Sequence, residues 1–182
     1  MDAHKRSDCP LGWDTNPSAW RERVPLLALA AAGLLVSCAL TIYQIDLIAK
    51  PWDPVFGAAS SAQVIHSPIS RLLPIPDASL GAFGYAAELA VGAVGGKTRW
   101  RTRPGVVLLF GLIAFGLGFV SLLLLIMQGA VVHSWCFLCL VSAGISIFLA
   151  SRVPGEVLAA AQQIRRTRGE GMPLVVSLLG AP

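Results

Sequence analysis

The chain has 182 residues, 55% of them hydrophobic and only 13% charged, with a mean hydropathy of +0.68. The apolar residues come in long runs, which excludes a soluble domain of this length. The formal net charge of +4 does not mark a nucleic-acid binder, because the basic residues flank apolar runs and do not alternate with aromatic ones.

Residues 1–23 are polar, carry Pro10, Pro17 and Cys9, and read as a surface arm. Residues 24–48 are the first spanning candidate, long enough to cross a bilayer with some tilt. Within it, Leu35-Val36-Ser37-Cys38 resembles a lipoprotein cleavage box. The apolar run continues to Ile48, so Cys38 reads instead as a span cysteine facing another helix. Residues 49–76 form a long loop with Pro51, Pro54, Pro68, Pro74 and Pro76, able to fold over the mouth of a small bundle. Tyr43 and Trp52 read as interfacial anchors beside it.

A second span at 77–94 is short, with small residues (Gly81, Gly84, Ala86, Ala87) suited to close helix contact. It contains Glu88. An intramembrane carboxyl is a functional candidate by default, but a place near the cytoplasmic end, within reach of water, is the preferred reading here. Residues 105–128 form an almost wholly aliphatic third span, and 134–150 a shorter fourth that opens on two cysteines. Residues 156–168 place Val157, Leu158, Ala161 and Ile164 ahead of a basic end, which predicts an interfacial helix in a cytoplasmic tail at 151–182.

Charge then orients the spans. Lys5, Arg6, Arg21 and Arg23 precede the first; Lys97, Arg99, Arg101 and Arg103 follow the second; Arg152, Arg165, Arg166 and Arg168 follow the fourth. The first loop sets Lys50 and Arg71 against Asp53 and Asp77, and the third has no Lys or Arg. Both termini are therefore expected in the cytoplasm, with the first and third loops outside. The expected fold is an all-α integral membrane protein, a four-helix transmembrane bundle with a long outer loop between helices 1 and 2. The expected place is the cell inner membrane.

Cys136 and Cys139, in Trp135-Cys136-Phe137-Leu138-Cys139-Leu140, can meet within one helical turn, either as a disulfide or as a shared metal site. Thiols in a first helical turn face unpaired N–H groups and the positive end of the dipole, which favour the thiolate. On the outer, oxidising side a disulfide can persist. Simple packing of two small residues is the bland alternative. A zinc site using His133 and His66 is the sharper one.

Taken together, these residues resemble the vitamin K epoxide reductase family, in particular its bacterial members, over roughly residues 24–150. The resemblance rests on the Cys-x-x-Cys opening the fourth helix and on the stretch at 61–71, which runs through His66-Ser67-Pro68. It continues through Pro76-Asp77-Ala78-Ser79-Leu80-Gly81 and Tyr85. It implies that Cys136 and Cys139 form an active-site disulfide beside a membrane quinone, menaquinone or ubiquinone. Cys139 would face the quinone, Cys136 would exchange with thiols, and Ser67 would belong to the quinone pocket. It also implies a thioredoxin-like thiol donor and a pair of loop cysteines that relay its electrons.

This chain lacks the loop pair. Ser61 stands where the second such cysteine is expected, and residues 53–55 contain no cysteine. A hydroxyl cannot replace a thiolate in disulfide exchange. The expected function is thus a membrane enzyme that passes electrons from a thiol donor through Cys136–Cys139 to quinone without an internal relay. A catalytically silent membrane subunit is the runner-up, and a Cys/His metal-binding protein the third reading.

Overall fold

A computed structural model describes residues 9–10, 12–72 and 74–180; Lys5 and Arg6, used above for orientation, lie outside them. Among the described residues the chain is helical and contains no strand. Helix α1 (Trp20–Gln44) is followed by the short α2 (Ala58–Ile65) and then by α3 (Asp77–Ala93), which begins directly after Pro76. The single turn α4 (Arg99–Thr102) leads into α5 (Pro104–Met127), where Pro104 sits in the first turn, the one place its missing N–H is harmless. Helix α6 (Phe137–Arg152) passes through Val153 into α7 (Pro154–Gly169), and α8 (Leu174–Leu179) closes the order.

Three helical stretches are long and apolar enough to cross a membrane: Trp20–Gln44, Pro104–Val132 and Phe137–Gly169. Large apolar side chains cover their outer faces, Leu35, Leu112, Phe119 and Phe148 among them. A surface of that kind needs lipid or another apolar cover.

Small residues set how closely the helices approach. Gly33 of α1 lies under the Tyr85 ring, Gly84 under Leu117, and Gly118 against Ala150. A Cβ at any of these would collide with its neighbour, so the backbones come together only because the side chain is missing. The small-residue stripe expected on α3 is thus used in part: Gly81 and Gly84 face neighbours, whereas Ala86 is exposed.

Glu88 departs from the expectation. It does not reach water at a helix end; it is 1% exposed, inside the bundle. Helix α3 turns the face carrying Gly81, Tyr85, Glu88 and Gly92 inward, and these positions recur at the helical period. Cys38 departs in the opposite sense, as a free thiol on the exposed side of α1 and not facing a neighbouring helix.

The helix at 154–169 forms where expected, and its Val157 packs against Phe110, Ala114 and Val153, but its most buried residues are others. Its buried side carries Glu156, Ala159, Ala160 and Thr167, while Leu158 is exposed. Beneath it, Arg99 is 0% exposed and grips Glu156 through both nitrogen–oxygen contacts, each 2.5 Å. The arm joins the same cluster, since Ser18 Oγ donates to Glu156 Oε1 at 2.5 Å.

Candidate functional site

The turn before α6 is built to present the cysteines. Helix α5 loosens into a π-turn at Gln128–Val132, and His133 then takes a left-handed conformation with φ 52°. Wide turns of this type recur at functional sites. The reversal lets the Gln128 side chain accept from the Cys136 amide at 3.2 Å and the Gln128 carbonyl accept from the Ser134 amide at 3.3 Å. Cys136 then caps α6, its sulfur accepting from the Cys139 amide at 3.2 Å.

Cys136 and Cys139 form a disulfide with their Cα atoms 5.2 Å apart. The sequence left a metal site open at this point. His66 turns instead to Asp46 (3.4 Å) and Arg71 (3.0 Å), His133 is an exposed corner residue, and no cluster of three metal-binding side chains occurs among the described residues.

The two sulfurs meet different surroundings. Cys139 lines a cavity of about 430 Å³ between α1, α3, α5 and α6, whose walls are mostly apolar. Its polar lining includes Ser67, Gln44, Asp77, Tyr85 and Ser142. These groups are tied to one another. Gln44 donates to Asp77 and accepts from the Ala78 amide at 3.1 Å, Ser70 donates to Asp77 at 3.2 Å, and Ser67 Oγ accepts from the Ser70 amide at 3.3 Å. Tyr85 Oη bonds Ser146 Oγ at 2.6 Å and donates to the Ser142 carbonyl at 2.8 Å.

Cys136 is 1% exposed and does not line the cavity. The segment between α1 and α3 covers this side, as its length suggested. Trp52 packs edge-on against Phe137 at 5.9 Å, and Ser60 Oγ donates to the Trp135 carbonyl at 2.7 Å. Asp53 is the centre of this cover, and sequence reasoning did not find it. One carboxylate oxygen accepts from Ser61 Oγ at 2.6 Å and from the Phe137 amide at 2.9 Å; the other accepts from the amides of Val55 (2.9 Å) and Phe56 (2.7 Å). The carboxylate therefore sits on the open N-terminus of α6, next to Cys136, where backbone N–H groups and the dipole favour an anion. The signal available in the sequence was an aspartate at 53 and a serine at 61, the two positions lacking the expected cysteines; the structure brings them into contact.

Burial pushes the Asp53 carboxyl up, but the hydrogen bonds from Ser61 and from the Phe137, Phe56 and Val55 amides outweigh it. They hold the group well below the usual carboxylate range. An acid whose folded value is depressed stabilises the fold above its unfolded value, about 4 for aspartate, and loses that contribution as pH falls below it. Between pH 7 and 5 the protection of the Phe137 amide from hydrogen exchange is therefore expected to stay constant, and to fall only below about pH 4. Asp53→Asn is expected to lower that protection about tenfold at neutral pH, since charge-assisted bonds are replaced by weaker ones on a partly exposed group.

In the comparisons with known proteins, the model described as "Vitamin K epoxide reductase family" matches residues 24–152. No curated protein matches the chain.

Proposed function

The chain belongs to the vitamin K epoxide reductase family, and from that premise we propose that it is a membrane thiol–disulfide oxidoreductase passing electrons from an external thiol donor, through Cys136–Cys139, to a membrane quinone. In this reading Asp77–Ala93 is a fourth crossing helix, which its exposed Phe83 and Leu80 support. The cysteines lie at the outer face and both termini in the cytoplasm, in keeping with the arginines and lysines around residues 97–103 and 152–168.

The observation that carries the reading is the division of the disulfide between two surfaces. Cys139 belongs to an apolar cavity, and Cys136 to the covered side where α6 begins. The cavity suits a quinone in kind: its volume of about 430 Å³ is that of a small-molecule site, apolar with a few polar groups. Ser67, whose Oγ accepts from the Ser70 amide and has its own proton to give, would donate to a ring oxygen, and the bound quinone would supply a two-electron acceptor.

The residues then act as follows. A donor thiolate attacks Cys136 Sγ, the Cys136–Cys139 bond breaks, and Cys139 leaves as a thiolate into the cavity. A second donor thiol resolves the mixed disulfide and frees Cys136, whose thiolate is favoured by the amides at the start of α6. Closing the pair again gives up two electrons and releases two protons; the electrons pass to the quinone, which takes up two protons to become its hydroquinone. The donor is a thioredoxin-like protein or another dithiol acting at the outer face. It must displace part of the segment between α1 and α3, because Cys136 is buried in a cluster with Val64 and Ile65 of that segment.

That same cover favours the second reading, a silent subunit whose disulfide no donor reaches. Trapping free thiols separates the two. On incubation with a dithiol and then a quinone, Cys136 and Cys139 are expected to be alkylated after the first step and protected after the second. Thiols that stay free in the presence of quinone would end the enzymatic reading, and thiols that never appear would favour the silent one.

A further inference from the structure

Between the cavity and the opposite end of the bundle lies one carboxyl group without a partner. Both oxygens of Glu88 are buried and make no hydrogen bond. Its helix neighbours Tyr85 and Leu89 belong to an apolar layer with Ala30 and Leu149. A carboxyl in such a place contributes no bond to the fold and costs free energy to bury. Its packing is better served by an apolar side chain, so its use lies in the proton it can carry.

Its position is that of a link. Tyr85, one turn toward the cavity on the same face of α3, lines the cavity and bonds Ser142 and Ser146. One turn the other way, the Gly92 carbonyl accepts from both Arg23 and Arg99. Arg99 in turn holds Glu156, which accepts from Ser18 of the arm. From Gly81 to Gly92 this inward face rises about 16 Å. Among the described residues of α1, α3, α5 and α6, Glu88 is the only carboxyl between these ends.

We propose that Glu88 relays protons from the Arg23–Arg99–Glu156 end of the bundle, through Tyr85, to the acceptor reduced in the cavity. This rests on the quinone reading above. Each turnover converts a donor dithiol to a disulfide, releasing two electrons and two protons on the cysteine side. The quinone takes the two electrons and, by way of Glu88, two protons from the arginine side. Chemistry confined to one half of the bundle thereby moves positive charge across the other half.

The test uses the full chain in vesicles oriented with the arginine-rich end inward, with dithiothreitol outside, ubiquinone-1 in the membrane, a trapped pH dye, and potassium with valinomycin to cancel the potential. Wild type is expected to alkalinise the lumen by two protons per quinone reduced. Glu88→Gln is expected to lose that signal and slow quinone reduction about 10²-fold, with Glu88→Asp restoring part of both. Reduction of Cys136–Cys139 by dithiothreitol without quinone is expected to be equal in all three. Quinone reduction by wild type without lumenal alkalinisation, an unchanged Glu88→Gln, or an equal slowing of its quinone-free step would each overturn the relay alone. No quinone reduction by wild type would overturn it together with the functional reading.

Discussion

Cys139→Ser is expected to lower thiol-driven quinone reduction by at least about 10³-fold, and Cys136→Ser by a similar factor, because the two sulfurs act as one unit. What separates them is the thiol each variant leaves behind. In Cys136→Ser the remaining Cys139 faces an apolar cavity of about 430 Å³. In Cys139→Ser the remaining Cys136 is packed with Leu40, Val64 and Ile65 at 1% exposure, beside the Asp53 cover on Phe137. A lipid-soluble maleimide is therefore expected to label Cys139 at least about tenfold faster than Cys136, whose labelling waits on local opening of the cover. Adding Asp53→Asn to Cys139→Ser is expected to raise Cys136 labelling and leave the Cys139 rate in the other variant unchanged. Equal labelling of the two thiols, or the reverse order, would remove the assignment of Cys139 to the acceptor and Cys136 to the donor.

Much of this arrangement was legible from local pattern. Apolar runs and their flanking arginines located the helices, and the spacing of Cys136 and Cys139 allowed the disulfide that the structure contains. What escaped was whatever depends on a partner distant in sequence. Asp53 meets the Phe137 amide across 84 positions, and nothing near residue 53 announces that bond. Glu88 was assigned to water because its helix is short. Its surroundings are set by α1 and α6, which turn the Tyr85 face inward, and composition cannot report the facing of a helix this uniformly apolar. Arginine 99 illustrates the same limit: the sequence counted it as one positive charge among several in a loop, yet it is wholly enclosed.

That enclosure sets the largest expected loss of stability. Arg99→Met would leave the Glu156 carboxylate, 6% exposed, with Ser18 as its remaining hydrogen-bond donor among the described residues and Arg23 as the nearby charge. It would also withdraw a donor from the carbonyls of Val91, Gly92 and Val94, where α3 ends without a glycine cap. Removing one member of a buried pair costs about 3–5 kcal/mol, a large share of what holds a domain of this size together. The variant is expected to show a sharply lowered melting temperature in detergent and poor recovery from membranes. Arg99→Lys is expected to recover little, since an ammonium cannot match the two-pronged contact to Glu156 while also reaching the Gly92 carbonyl. The double variant Arg99→Met, Glu156→Met is the discriminating case. If the damage comes from an unpaired buried charge, the pair replaced together will melt above Arg99→Met alone. If it comes from the uncapped carbonyls of α3, removing Glu156 as well will not help, because Arg23 alone would still have to serve that helix end.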